Sequence, residues 1–188
     1  MDKVALCNLA LSALGDDTIS TLTDASTLAE LCSTNFDAVR DAVLGERAWR
    51  FATVRRQLAA DATAPAWGAA HRYALPKTVI QVLEASDGTH PLPDWRREGG
   101  FVLTDQAGPI YIRSVEQIED VSLWPPGFCQ AVAARLAAVL AVPVTESRPL
   151  AEQLWKLYRM RLSEAGTADA LQGVHGSTRT NTVNRWRL

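Results

Sequence analysis

The chain has 188 residues, a hydrophobic fraction of 47% and a formal net charge of −2. That length predicts one domain, or one domain carrying an insertion, and the balanced charge excludes a protein whose main task is to coat nucleic acid. Residues 1–17 lack a basic leader and a cleavage site, so no signal peptide is read there. No apolar run approaches the ~20 residues of a membrane span, so no membrane anchor is expected. Three scattered cysteines, Cys7, Cys32 and Cys129, sit in apolar stripes and read as buried thiols.

In chain order, residues 3–14 place Val4, Leu6, Leu11 and Leu14 among small residues and stop at Gly15, a short helix with a glycine end. A turn-rich connector follows. Thr27 and Glu30 have capping-box spacing, and Leu28, Leu31, Cys32, Phe36, Val39 and Val43 then recur at helical spacing to about Gly45.

The stretch GERAWRFATVRRQLA (45–59) combines Arg47, Arg50, Arg55 and Arg56 with Trp49 and Phe51. Phe51, Val54 and Leu58 stand at i, i+3 and i+7, so the stretch reads as a helix with aromatics inward and guanidinium groups outward. Its arginines are candidates for a protein-facing surface, since Arg and Trp are enriched in interface hot spots.

Residues 60–70 read as a linker. Short β-branched and aromatic runs then predict a small antiparallel meander of three or four strands within 71–118, with a hairpin at Gly99-Gly100 and a tight turn at 105–109. In the last strand Ile110 and Ile112 alternate with Tyr111 and Arg113. Helix resumes after Pro125-Pro126, with Phe128, Val132, Leu136, Val139 and Leu140 on one stripe and Pro143 ending it. A last helix follows a Thr145 or Ser147 cap, with Leu150, Leu154, Leu157, Tyr158 and Leu162 on one side. The fold class is therefore α+β: a helical bundle (1–70 and 122–173) with an inserted small antiparallel β-meander (71–121). Residues 174–188, basic and without a carboxylate, read as an extended C-terminal arm. The expected core includes Phe36, Val39, Phe51, Leu136, Leu140, Leu154 and Leu157.

No G-x-S-x-G, H-E-x-x-H, P-loop or C-x-x-C motif occurs, and the three histidines are scattered. Glu116, Glu119 and Asp120 cluster in sequence after the last strand; a solvated acidic turn is the reading, against a metal or catalytic pair. Neither catalytic residues, nor a metal, nor a cofactor is assigned. Physical reasoning alone reaches an interaction protein.

Five segments in order resemble the tail tubular protein A family of phages, head-to-tail adaptors. They are ALCNLALSALGDDTISTLTDASTLAELCSTNFDAVRDAVL, WRFATVRRQLA, HRYALPKTVIQVLE, EGGFVLTDQAGPIYIRSV (with Ser114 where the family usually has tyrosine) and WPPGFCQAVAARLAAVLAVPVTES. The resemblance spans about residues 5–170 and implies a structural, non-enzymatic virion protein at the head–tail interface, assembled in the host cytoplasm. It implies a ring of about twelve copies between portal protein and distal tail (nozzle or tail tube) protein, a cyclic array with heterologous contacts. Double-stranded DNA would pass through its lumen without specific binding. The expected portal- or neighbour-binding residues are Arg47, Arg50, Arg55 and Arg56, with Arg179, Arg185, Trp186 and Arg187 of the arm. Two other classes remain open: a DNA-binding regulatory protein using the basic 45–59 helix, and a virion-associated cell-wall hydrolase using Glu116, Glu119 and Asp120 as carboxylates.

Overall fold

The first helix, α1 (Lys3–Leu14), begins where the Asp2 carboxylate accepts the Ala5 N–H at 2.8 Å and ends at Gly15. Helix α2 (Thr27–Gly45) starts one residue earlier in its capping than the sequence predicts: Ser26, not Thr27, is the cap, and its hydroxyl accepts the Ala29 N–H. Both are hydroxyl residues, so the pattern fixed the site only to within one position. Helices α3 (Pro126–Thr145) and α4 (Arg148–Leu171) complete the helical part, α4 capped by the Ser147 hydroxyl on the Leu150 N–H. These elements belong to a computed structural model that describes residues 1–172.

Pro143 does not end α3. It lies in the last turn and removes one i→i−4 bond there, and the Thr145 hydroxyl donates to the Ala141 carbonyl at 2.7 Å, a side-chain bond within that turn. Helix α3 is also long and apolar enough to pass for a membrane span, with a mean hydropathy of 1.7, which corrects the expectation that no such run exists. Its setting accounts for the composition. It packs against α1, α2 and α4, and Ala131, Ala134, Ala137, Ala138 and Ala141 are buried where those helices approach.

The largest correction is in residues 45–59. After α2 the chain turns irregularly through 46–52 and enters strand β1 (Thr53–Leu58), not a helix. Residues 71–116 then hold five strands rather than a single meander: β2 (His71–Ala74), β3 (Val79–Ser86), β4 (Trp95–Glu98), β5 (Phe101–Thr104) and β6 (Ile110–Glu116). With β1 they form two antiparallel sheets, ordered β1-β6-β3 and β2-β5-β4. The β4–β5 hairpin turns at Gly99-Gly100 as expected. Strand β6 is central in its sheet, and its partner β1 comes from outside the expected insertion. The architecture is thus mixed, with four helices and two small antiparallel sheets. Tyr73, Val82, Val102 and Ile112 fill the space between the sheets, and the helices share the larger core.

Of the expected core, Phe36, Val39, Leu136, Leu140 and Leu154 are buried, while Phe51 and Leu157 are half-buried against it. All three cysteines are buried.

Candidate interaction surface

The chain that leaves α2 is anchored by its aromatic residues. Trp49 is buried, its indole N–H donates to the Val43 carbonyl at 2.9 Å, and its ring meets Phe128 edge-on at 5.0 Å. Phe51 meets Phe128 in turn at 4.8 Å. The expectation of aromatics inward and arginines outward therefore holds, but through a turn and a strand. The Asp169 carboxylate of α4 accepts the Arg50 backbone N–H at 3.0 and 3.2 Å, which ties the turn to the last helix.

The four candidate arginines have different fates. The Arg47 guanidinium lies across Gly166 of α4; a Cβ there would come within 2.3 Å of its Nη1, so this contact requires glycine. Arg56 makes a two-pronged ion pair with Glu116, Nε–Oε1 2.6 Å and Nη2–Oε2 2.7 Å. Glu116 is nearly buried and also accepts from the Thr78 and Ser114 hydroxyls. The hydrogen bonds from Arg56 hold its carboxyl below the usual range against the opposing effect of burial. Arg50 and Arg55 are exposed, and among the described residues neither has an ion-pair partner.

Arg55 stands directly opposite Arg113 on β6, and Arg113 opposite Glu84 on β3. The row Arg55–Arg113–Glu84 thus crosses the open face of the sheet, with Gln57, Tyr111 and Ser86 in the next row. The Arg113 Nε donates to Glu84 Oε2 at 2.9 Å, leaving Arg55 beside a like charge. Like charges directly opposite on a sheet are destabilising. Two shallow grooves meet at this pair. One, about 690 Å³, is lined by Ala48, Arg50, Thr53, Val54, Arg55 and Arg113. The other, about 660 Å³, runs past Tyr111 to Glu84, Ser86 and Asp87. Gly88 floors the second at φ 102°; a side chain there would come within 2.8 Å of the Tyr111 ring.

Sequence reasoning identified Arg50 and Arg55 but missed Arg113 and Tyr111 as their neighbours. The alternation in IYIRSV placed both on one face; the pairing of β6 with β1 was the missing information. The acidic trio does not converge. Glu116 is consumed by Arg56, so the solvated acidic turn is corrected at that residue, and Asp120 caps a 3-10 turn by accepting the Ser122 N–H. Among the described residues no group of three or more His, Cys, Asp or Glu could hold a metal ion. Arg179, Arg185, Trp186 and Arg187 lie outside the described residues. No protein-family model matches this chain, and a search of curated proteins finds no match to it.

Proposed function

We propose that this chain is a structural head-to-tail adaptor of a tailed phage, a ring subunit between portal and distal tail. The observation that carries the reading is the order of five segments over residues 5–170 that resemble the tail tubular protein A family. In this reading the four helices act as a bundle and the two sheets as a module inserted into it, with β1 as the bundle's contribution to that module. Arg50 and Arg55, without an ion-pair partner among the described residues, meet protein rather than DNA. Phosphate contacts there would have to break repeatedly as DNA slid past.

The test is direct. Purified chain is mixed with portal-bearing particles and imaged in negative stain. The expected result is an added ring at the portal vertex; particles without added density would overturn the proposal. The C-terminal residues Arg179, Arg185, Trp186 and Arg187 are proposed to contact the portal or a neighbouring subunit, with Trp186 as the anchor. Removing residues 174–188 should then abolish attachment to the same particles, and Trp186→Ala should reproduce much of that loss. Normal attachment after truncation would remove the arm from the interface.

A further inference from the structure

The charges of the stretches that lead into and out of α2 are segregated, although Asp37, Arg40 and Asp41 mix within the helix. From residue 4 to residue 39 there is no basic residue, while Asp16, Asp17, Asp24 and Glu30 all fall in that span. From residue 47 to residue 60 there is no acidic residue, while Arg47, Arg50, Arg55 and Arg56 do. Asp16, Asp17 and Glu30 are exposed, and among the described residues none has an ion-pair partner. The acidic connector enters the N-terminal end of α2, and the basic turn and strand leave its C-terminal end. A helix of 19 residues spans about 28 Å at 1.5 Å per residue. Screening acts over about 10 Å at ordinary ionic strength, so the two ends do not neutralise each other within one chain.

The helix dipole accounts for part of this pattern, since it favours acid in the first turn and base in the last. It accounts for Glu30 and Arg47. It does not account for Arg55, which lies well past the last turn, has no ion-pair partner among the described residues and faces Arg113, whose own carboxylate partner is Glu84. That arrangement is unfavourable in the isolated subunit and becomes favourable once a carboxylate-bearing surface covers it.

We propose that the occupant of this open sheet face is a second copy of the same chain, docked through its acidic α1–α2 connector. Asp16 and Asp17 of one copy meet Arg50 and Arg55 of the next. The contact is heterologous, basic end to acidic end, and therefore propagates into a ring or a filament rather than stopping at a symmetric dimer. It deepens the adaptor reading by assigning the subunit–subunit surface, but it stands on charge placement alone and does not need the portal.

Sedimentation equilibrium of the full chain tests it. At low ionic strength and high concentration the wild-type mass average should climb with concentration, and added salt should reverse the climb. Arg50→Ala/Arg55→Glu removes the basic face, and Asp16→Lys/Asp17→Lys reverses the acidic one. Each should weaken self-association about tenfold or more, the scale of lost close charge pairs. Mixed in equal amounts, the two variants offer each other both the native and the charge-reversed contact and should co-assemble, although neither associates well alone. A chain carrying all four substitutions should recover self-association. Unchanged thermal midpoints will show that the variants fold, and the milder Arg55→Gln substitutes for Arg55→Glu if they do not.

A wild type that stays monomeric throughout, variants that associate like the wild type, or a combined chain without recovery would each overturn the proposal. So would loss of duplex DNA binding in Arg50→Ala/Arg55→Glu with self-association intact, which would assign the face to phosphate. Binding to portal-bearing particles separates this failure from that of the adaptor reading. Attachment without self-association sinks only the interface; self-association without attachment sinks only the adaptor.

Discussion

The helical and the sheet parts of the molecule are held together by different physics. Around α3 the interior is chiefly a matter of shape, with the Arg135–Glu46–Tyr158 network at its edge: alanines admit neighbouring helices, and Trp49, Trp124 and Phe128 interlock edge to face. Between the sheets the core is small, and polar groups finish the work. The Tyr73 hydroxyl lies 2.6 and 2.8 Å from the Gln106 and Gly108 carbonyls, Arg97 of β4 donates to the Val79 and Ile80 carbonyls of β3, and Arg56 neutralises Glu116. A core built on shape is sensitive to cavities and indifferent to pH, whereas one built on paired polar groups reverses both sensitivities.

Four substitutions test this contrast. The largest effect is expected from Leu136→Ala, a fully buried position on α3. It should cost about 2–5 kcal/mol in denaturant unfolding, with little dependence on pH; a loss under about 1 kcal/mol would mean that the helical part relaxes around voids.

Arg56→Ala comes second. It strands a nearly buried carboxylate, but Arg56 itself is partly solvated, so about 2 kcal/mol at neutral pH is expected rather than the 3–5 kcal/mol of a fully buried pair. The sign of its pH dependence follows from the lowered carboxyl of Glu116. A depressed carboxyl contributes stability above its unfolded pKa, about 4.3, and that contribution is lost as pH falls through and below this range. The gap between wild type and variant should therefore narrow in acid. A gap constant from pH 7 to about pH 3 would detach Glu116 from the stability of the sheets.

Tyr73→Phe is next, with a loss of about 1 kcal/mol for the hydroxyl's bond to the part-buried Gln106 and Gly108 carbonyls, read from the same unfolding curves. The smallest effect belongs to Arg55→Glu, which relieves the facing Arg113 and should leave stability within about 0.5 kcal/mol of wild type. A larger loss would show that Arg55 supports the sheet and is not reserved for a partner.

Much of the helical part was legible because its signals are local. Gly15, Ser147 and the Pro125-Pro126 pair mark ends within a few residues, and the 3.6-residue period of α3 and α4 repeats long enough to be unmistakable. Strand β1 was misread because Phe51, Val54 and Leu58 satisfy a helical period, while the polar run Arg55, Arg56 and Gln57 breaks the apolar alternation that marks a strand. Tertiary pairing with β6 decided the outcome. The site suffered in the same way. Arg50 and Arg55 were visible as unneutralised charges, but the Arg55–Arg113 juxtaposition and the Arg56–Glu116 pair each depend on β-sheet register between residues far apart in sequence.

The pairing of β1 with β6 also bears on how the chain reaches its native state. Leu58 aligns with Ile110 and Thr53 with Val115, so the ladder closes an excursion that runs from residue 59 to residue 109. The β4–β5 hairpin, by contrast, needs only two adjacent glycines to turn. Closing the long excursion costs entropy before any ladder bond rewards it, while the hairpin and the helices form from near neighbours. The helices and the hairpin should thus appear early in refolding, and the β1–β6 ladder last. Until it closes, the Arg55–Arg113–Glu84 row across the open sheet face does not exist, so the surface proposed for docking is absent before the fold is complete.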